Sequence, residues 1–569
     1  MSLRTTPLLL LASLARSQAN LQPGREPILG YNSYNDIACD ANSTYMDATI
    51  RALDATGLKD LGYKYFQIDC GWQAFERLSN GSITYDETRF PDGILPVSEL
   101  ARSLGFKFSM YTDQGVRSCD TTPGGRIGSL GHEQEDAERF AYWGAEYVKV
   151  DNCYITADQN APKDPRTDFP SRFGAMWTAL QDVGIEEMLV CQWGTPYINQ
   201  SGGYETLEGP AEWTPPISTS FRVSDDIAGA WANVVRIANE NIHVVLRGDA
   251  GPGQWSDMDL LEVGNNGLTL VEQRSHFALW AMSKSTLMIS TNIQDMSDET
   301  FEIFSNERLL AVNQDDLGEP VKLVQRYSND HDVYAGPLAG GDEAVLLLSS
   351  KDATNTLAVD FERLGIHHAD VTDLWTGKVQ RKARKFSATV AAHGNVALRL
   401  SNIKRDHGSR HRPEQRFIYY EAEVGTVSGG ANVQDCRGCS NGTKVGFLSS
   451  NSSVTISGIR THEETQNVRF DYVNCDVGYL SDQKPNYRTA AITVNGGAPQ
   501  LVDFPLTGYE WTLDVLEGFL VRLSGFDVHG DNTIVISGPP ADAVADSNAG
   551  TYGPDIDRVG IVEKAWGRW

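Results

Sequence analysis

A chain of 569 residues exceeds what one hydrophobic core sustains, since single cores stop growing near about 250 to 300 residues, so several domains are expected. Its 48 Lys and Arg against 75 Asp and Glu leave a net charge of −27, which repels a phosphate backbone and argues against nucleic acid as a partner. With 41% apolar residues, 22% charged residues and 53 glycines, the composition is that of a turn-rich globular protein, not a disordered or collagen-like one.

Residues 1–19 carry Arg4, an apolar run from Leu8 to Ala15, and small residues at Ser17 and Ala19. That is the pattern of a secretory signal peptide cleaved near Ala19. No later run reaches the ~18 apolar residues that span a bilayer, so a secreted, extracellular protein without a membrane anchor is expected. Sequons at Asn42, Asn80, Asn199, Asn441 and Asn451 are candidate glycosylation sites in that compartment. Cys436 and Cys439 read as a local loop staple, and Cys191 and Cys475 have no evident partners.

Between residues 25 and 313, short apolar runs alternate with helix-patterned stretches, the rhythm of a parallel sheet. The strand candidates are Ile28–Tyr31, Tyr65–Asp69, Phe106–Tyr111, Tyr147–Asp151, Met188–Gln192, Phe221–Ser224, Val244–Leu246 and Thr286–Ile289. Eight such units predict a (β/α)8 TIM barrel. Residues 314–402 change to alternating strands broken by turn signals, predicting an antiparallel β-sandwich. Residues 403–416 are polar and basic and read as a linker. Residues 417–562 are again β-patterned, with Asn495-Gly496 as a hairpin signal, and predict a second β-sandwich.

Barrel enzymes place their chemistry at the C-terminal ends of the strands. Asp69, Asp113, Asp151, Gln192, Asp225, Asp226, Asp257 and Asp259 fall there, with Tyr34, Trp72, Tyr111, Trp193 and Trp255 nearby. Carboxylates accept protons from sugar hydroxyls and aromatic faces stack on sugar C–H surfaces. A glycosidase needs two carboxyls, one as nucleophile or base and one as acid. His132, His243 and His276 do not cluster at these ends with metal-ligand spacing.

Gly30-Tyr-Asn-Ser-Tyr-Asn35, Lys149-Val-Asp-Asn-Cys-Tyr154, Arg222-Val-Ser-Asp-Asp-Ile227, the segment Gly251–Asn265 and His276–Met282 resemble, in order, the motifs of family 27 α-galactosidases, the melibiases. The resemblance covers residues 25–402. It implies a retaining hydrolase without a catalytic cofactor that acts on oligosaccharides and plant polysaccharides such as galactomannan. Asp151 would be the nucleophile and Asp226 the acid/base. Asp69, Lys149, Arg222 and Asp259 would hold sugar hydroxyls, Tyr34 and Tyr111 would line the pocket, and Gln192 would face the sugar 2-position. Cys119 would pair with Cys153, and Cys39 with Cys70.

The residues make matching demands. A nucleophile must be ionised, and Lys149, two residues before Asp151 on the same strand face, is expected to hold its pKa down. An acid must be protonated, which an ionised neighbour favours. Strand alternation is expected to separate Asp226 from its rival Asp225, which would cap or pair. Two departures bear on the substrate. Cys70 stands where the family has a second carboxylate for the 4- and 6-hydroxyls, which keeps a β-L-arabinopyranosidase open as an alternative. Gln192 stands where Glu is frequent, and its bulk disfavours a 2-acetamido sugar. A carbohydrate-binding protein on an inactive barrel is the competing class, disfavoured by the presence of both Asp151 and Asp226.

In the C-terminal unit, Tyr420-Glu-Ala-Glu423, Cys439–Gly446, His529–Ile534 and Pro554–Val559 resemble a family 35 carbohydrate-binding module, a β-sandwich type that often carries calcium. Glu421 and Glu423, expected on one face of a strand, and Asp557 would supply hard oxygen ligands to a structural calcium. The linker would tether this module and raise the local concentration of polymer.

Overall fold

The computed structural model describes residues 24–160, 162, 164–199, 206–405, 416–476, 487–540 and 552–563. The signal-peptide reading at residues 1–19 lies outside them, as does most of the linker. Among the described residues, no helix is long and apolar enough to cross a membrane.

Eight parallel strands form the first unit: β1 (Leu29–Asn32), β2 (Tyr65–Gln67), β3 (Lys107–Asp113), β4 (Ala145–Asp151), β5 (Glu187–Val190), β6 (Ser220–Arg222), β7 (Trp255–Asp257) and β8 (Leu287–Ile289). They are ordered β8-β1-β2-β3-β4-β5-β6-β7, and a parallel bridge from Leu261 to Ile289 joins the ends into a barrel. Gly30 is required where β1 meets β2, because a methyl group there would overlap the backbone of Tyr65. Helix boundaries follow from side-chain caps. Asn42 accepts from the Tyr45 N–H at the start of Ser43–Thr56, and Thr269 and Glu272 form a capping box on Leu270–Met282.

One strand expectation is overturned. Val244–Leu246 lies in the helix Trp231–Arg247, and the seventh strand is Trp255–Asp257. Val234, Ile237, Ile242 and Val245 are buried along that helix, so the β-branched run continues a helical apolar stripe that outweighs its local strand propensity.

The second unit packs a sheet containing Lys322–Tyr327, His331–Pro337, Glu343–Ser349 and Asn395–Lys404 against the pair Asn355–Asp360 and Lys385–Val390. Val345, Leu347, Leu357, Val359 and Leu398 fill the space between. Leu346 and Leu348, on the other face, join the barrel core. The third unit is also two-layered around Val468, Phe470, Phe504, Val521 and Ile536. Its hairpin turn at Asn495 and Gly496 has φ of 51° and 70°, the left-handed geometry that Asn-Gly favours.

The second and third units are not joined only through a tether. Lys322–Tyr327 pairs in parallel with Leu516–Ser524, with Arg326 opposite Phe519 and Tyr327 opposite Leu520. The sheet therefore runs continuously from one unit into the other. The Gln325 side chain adds a 2.7 Å bond to the Gly518 carbonyl. Strand Asn395–Lys404 also runs two residues into the stretch expected to be linker.

Candidate active site

The strand ends converge on a cavity of about 170 Å³, lined by Tyr34, Asp69, Cys70, Tyr111, Lys149, Asp151, Trp193, Arg222, Asp226 and Asp259 among others. Lys149 and Asp151 sit two apart in β4 and point inward together, as the strand period requires. Lys149 Nζ bonds Asp69 Oδ2 at 2.9 Å, and Asn32 Nδ2 at the end of β1 bonds the same oxygen at 2.7 Å. Lys149 also stands 5.6 Å and 5.3 Å from the ring centres of Tyr34 and Tyr111. The Arg222 guanidinium bridges Asp226 at 2.9 Å and Asp259 at 2.7 Å. Asp226 is 56% exposed while Asp259 is 7% exposed, which sets the first at the mouth and the second in the wall.

Asp151 receives two donors on Oδ1, the Trp193 indole N–H at 3.0 Å and the Asn152 N–H at 2.9 Å. Burial pushes its carboxyl above the usual range; Lys149 opposes this and Asp226 adds to it. The expectation that Lys149 would hold Asp151 low is therefore corrected. The ammonium is bonded to Asp69, and desolvation of a buried carboxylate is the larger effect. Burial likewise raises Asp259 to about 6 against the pull of Arg222, and raises Tyr34 to about 12.

Asp225 and Asp226 lie beyond β6, which ends at Arg222, so strand alternation does not separate them. Loop geometry does: Asp225 Oδ1 caps the Asp226 N–H at 2.9 Å, while Asp226 lines the cavity. Asp113 and Asp257 serve the framework. Asp113 accepts from the Cys153 N–H, and Asp257 accepts from the Asp259 N–H and the Thr286 hydroxyl. Trp72 and Trp255 are structural too. Trp72 packs edge-on against Trp143 and donates to the Tyr111 carbonyl, whereas Trp255 donates to Gly24. Gln192 is fully buried and neither of its amide atoms has a hydrogen-bond partner.

Trp193 is the site residue whose role sequence reasoning did not specify. Its φ is 58°, and that of Asp259 is 75°, a region that costs a bulky side chain about 1 to 3 kcal/mol and clusters at functional sites. The signal available was its place just past a strand end, in Cys-Gln-Trp-Gly. Disulfides join Cys39 to Cys70, Cys119 to Cys153 and Cys436 to Cys439. Cys191 and Cys475 are buried thiols, and Cys191 Sγ accepts from Arg222 at 3.3 Å.

In the third unit, strand Phe417–Glu421 ends at Glu421 and Ala422–Val424 is a 3-10 turn, so Glu421 and Glu423 do not share a strand face. The Ser440 hydroxyl nevertheless gathers Glu421 and Asp557 at 2.6 and 2.7 Å. Glu423 Oε1 accepts from Asn441 at 3.3 Å, and its Oε2 is buried without a hydrogen-bond partner. Burial raises Asp557 to about 6, with Glu421 adding to the effect. Of the sequons, Asn80, Asn441 and Asn451 are exposed, whereas the Asn199 amide is bonded to Glu208 at 2.7 Å.

Residues 33–315 match the family model described as alpha galactosidase A, and residues 328–400 match the alpha galactosidase C-terminal beta sandwich domain. The chain is 31% identical to a probable alpha-galactosidase D of Aspergillus fumigatus, across 88% of this chain and 89% of that protein. Among solved structures, it superimposes on alpha-galactosidase I from Mortierella vinacea with a TM-score of 0.60 and 30% identity, covering 68% of this chain and 99% of that one. It also superimposes on the Saccharomyces cerevisiae α-galactosidase solved with raffinose, with a TM-score of 0.59 and 27% identity, covering 67% and 98%.

Proposed function

The chain belongs to the α-galactosidase (melibiase) family of glycoside hydrolases, and on that premise we propose that it is a secreted, retaining exo-enzyme that removes terminal α-D-galactosyl residues through a covalent intermediate at Asp151. The observation that carries this reading is the pairing inside one small cavity of a buried carboxylate, Asp151, with a more exposed one, Asp226, which Arg222 holds to Asp259 at the cavity mouth.

Asp151 Oδ1 is occupied by the Trp193 and Asn152 N–H groups, which orient the carboxylate and leave Oδ2 to attack the anomeric carbon. As the new C–O bond forms and the glycosidic bond breaks, Asp226 gives its proton to the departing oxygen. Asp226 then takes a proton from water, which displaces Asp151 and restores the α configuration. Lys149 and Asp69 would hold hydroxyls on the β2 to β4 side and Arg222 and Asp259 on the opposite side. Tyr34 and Tyr111 would bound the ring, and Gln192 would serve the 2-position. No part of this needs a cofactor. The substrates would be the galactosyl ends of oligosaccharides and galactomannan-type polymers.

One observation favours a second sugar. Cys70, held in a disulfide with Cys39, lines the cavity at the position where the family resemblance implies a second carboxylate for the 4- and 6-hydroxyls. A β-L-arabinopyranoside has the galactose ring configuration without the hydroxymethyl group. Initial rates on p-nitrophenyl α-D-galactopyranoside are expected to exceed those on p-nitrophenyl β-L-arabinopyranoside. Faster arabinoside hydrolysis would reassign the substrate and keep the mechanism, and no turnover of either would leave a carbohydrate-binding protein.

The third unit would bind polysaccharide and carry a structural calcium on Glu421, Glu423 and Asp557. Glu421 and Asp557 meet at the Ser440 hydroxyl, whereas Glu423 bonds Asn441 and does not converge with them, so a calcium there would have to draw Glu423 in. The expected result is a Tm several degrees lower in EDTA than in calcium, restored by calcium and not by magnesium. An unchanged Tm would count against the ion.

A further inference from the structure

The fifth strand–helix unit of the barrel is incomplete on the outside. After β5 the chain forms a hairpin, Tyr197–Asn199 with Thr206–Glu208, and then a helix of four residues, Pro210–Trp213. The helices on either side, Phe169–Asp182 and Trp231–Arg247, have 14 and 17 residues. Among the described residues, the helical cover of this connection is thus limited to that short helix and the 3-10 turn Pro215–Ile217, beside the strand ends from which Trp193 and Arg222 enter the cavity.

The third unit reaches into this place with Tyr509. The side chain is 3% exposed, and its ring meets His243 edge-on at 4.8 Å. It lies so close to Gly209 that a methyl group there would overlap it. Its hydroxyl donates to the Gly194 carbonyl at 3.2 Å and lies 3.5 Å from the Val223 carbonyl. The supporting loop is braced from both sides. Asp514 accepts from the Tyr509 and Glu510 N–H groups at 2.8 Å, and pairs at 3.5 Å with Arg247 of the barrel helix.

The two carbonyls adjoin the reacting groups. Gly194 follows Trp193, whose left-handed backbone aims the indole N–H at Asp151. Val223 follows Arg222, which holds Asp226. The loops also touch each other, since a methyl group on Gly194 would overlap the Val223 carbonyl. A bulky residue persists in such a conformation only where its surroundings over-determine it, and Tyr509 supplies a bond to the very next peptide.

We propose that Tyr509 is a positioning residue for glycosyl transfer, tying the Trp193–Gly194 and Arg222–Val223 loops together from the third unit, so that this unit is part of the catalytic apparatus and not only a polymer-binding appendage. The inference rests on the α-galactosidase reading of the cavity. Burial, with the nearby charges of Glu240, Glu212 and Asp514, raises the phenol pKa and keeps it a neutral donor.

The test uses the full chain with Tyr509→Phe, which keeps the ring, and Gly209→Ala, which displaces it from the barrel side. Each is expected to lower kcat on p-nitrophenyl α-D-galactopyranoside by about tenfold to a hundredfold with KM changed less than twofold. The acidic limb of the kcat/KM profile should move to higher pH, because a misplaced indole N–H no longer stabilises ionised Asp151. Trp193→Phe should give the same displacement, and Tyr509→Phe should add nothing to it. A Tyr509→Phe enzyme with the wild-type kcat and pH profile, or effects that multiply with those of Trp193→Phe, would overturn the proposal. A crystal structure of Tyr509→Phe with Trp193 still left-handed and bonded to Asp151 would overturn it irrespective of activity. Inactivity of the wild-type chain would appear before any variant is compared and would count against the α-galactosidase reading instead.

Discussion

Replacement of Asp151 by Asn is expected to lower kcat on p-nitrophenyl α-D-galactopyranoside by about four orders of magnitude or more, with the protein still folded. The amide is isosteric, so its side-chain oxygen can go on accepting from Trp193 and Asn152. It removes one buried negative charge from a site that already holds Asp69, Asp226 and Asp259, so no large loss of stability is expected. What disappears is the carboxylate proposed to form the glycosyl ester. In the truncated variant Asp151→Ala, added azide should recover part of the rate and yield β-galactosyl azide, because a small anion can enter the space the carboxylate filled. Residual activity within tenfold of wild type would remove Asp151 from the nucleophile role.

Replacement of Asp226 by Ala is expected to divide substrates by leaving group. Raffinose carries a sugar alkoxide that cannot depart unprotonated, so its hydrolysis should fall by about 10²- to 10⁴-fold. The p-nitrophenolate ion departs without a proton, so the first step should survive while water attack loses its base. A burst of p-nitrophenol followed by a slow steady state is therefore expected, measured by stopped flow. Equal losses on both substrates without a burst would assign Asp226 to binding and reopen the role of Asp225. Arg222 sharpens this test. Its bond to Asp226 is lost in the alanine variant while its bond to Asp259 remains, so a general collapse of the wall is not expected.

Much of the site could be read from residue order because barrel chemistry is local in sequence. Lys149 and Asp151 share β4, and Asp69, Arg222 and Asp259 each lie within two residues of a strand end, so period and position alone put them near one mouth. The fold class was legible for the same reason, through alternation between apolar runs and helical patterns. The misplaced seventh strand shows where that logic stops. A β-branched triplet such as Val244–Leu246 carries the same local signal in a strand and on a helix face, and only tertiary packing decides.

Three features depend on contacts between segments distant in the chain. Lys149 is engaged by Asp69 from the end of β2, two strands away, which a reading along β4 does not show, so the balance of forces on Asp151 came out the other way. Trp193 takes its role from a left-handed backbone, and nothing in Cys-Gln-Trp-Gly dictates φ for the tryptophan. The continuous sheet between the second and third units pairs residues separated by nearly two hundred positions, such as Arg326 with Phe519. A polar stretch between two β-patterned segments reads as a tether whether or not the segments dock.

The central claim is that a covalent galactosyl ester forms at Asp151. Its most direct test is mass spectrometry of the intact enzyme and its peptides after incubation with 5-fluoro-α-D-galactopyranosyl fluoride, which is activated for the first step and slowed in the second. The account predicts one fluorogalactosyl unit per chain, on the peptide containing Lys149-Val-Asp-Asn-Cys and located at Asp151. An active enzyme that forms no adduct and releases β-galactose directly from an α-galactoside would contradict it.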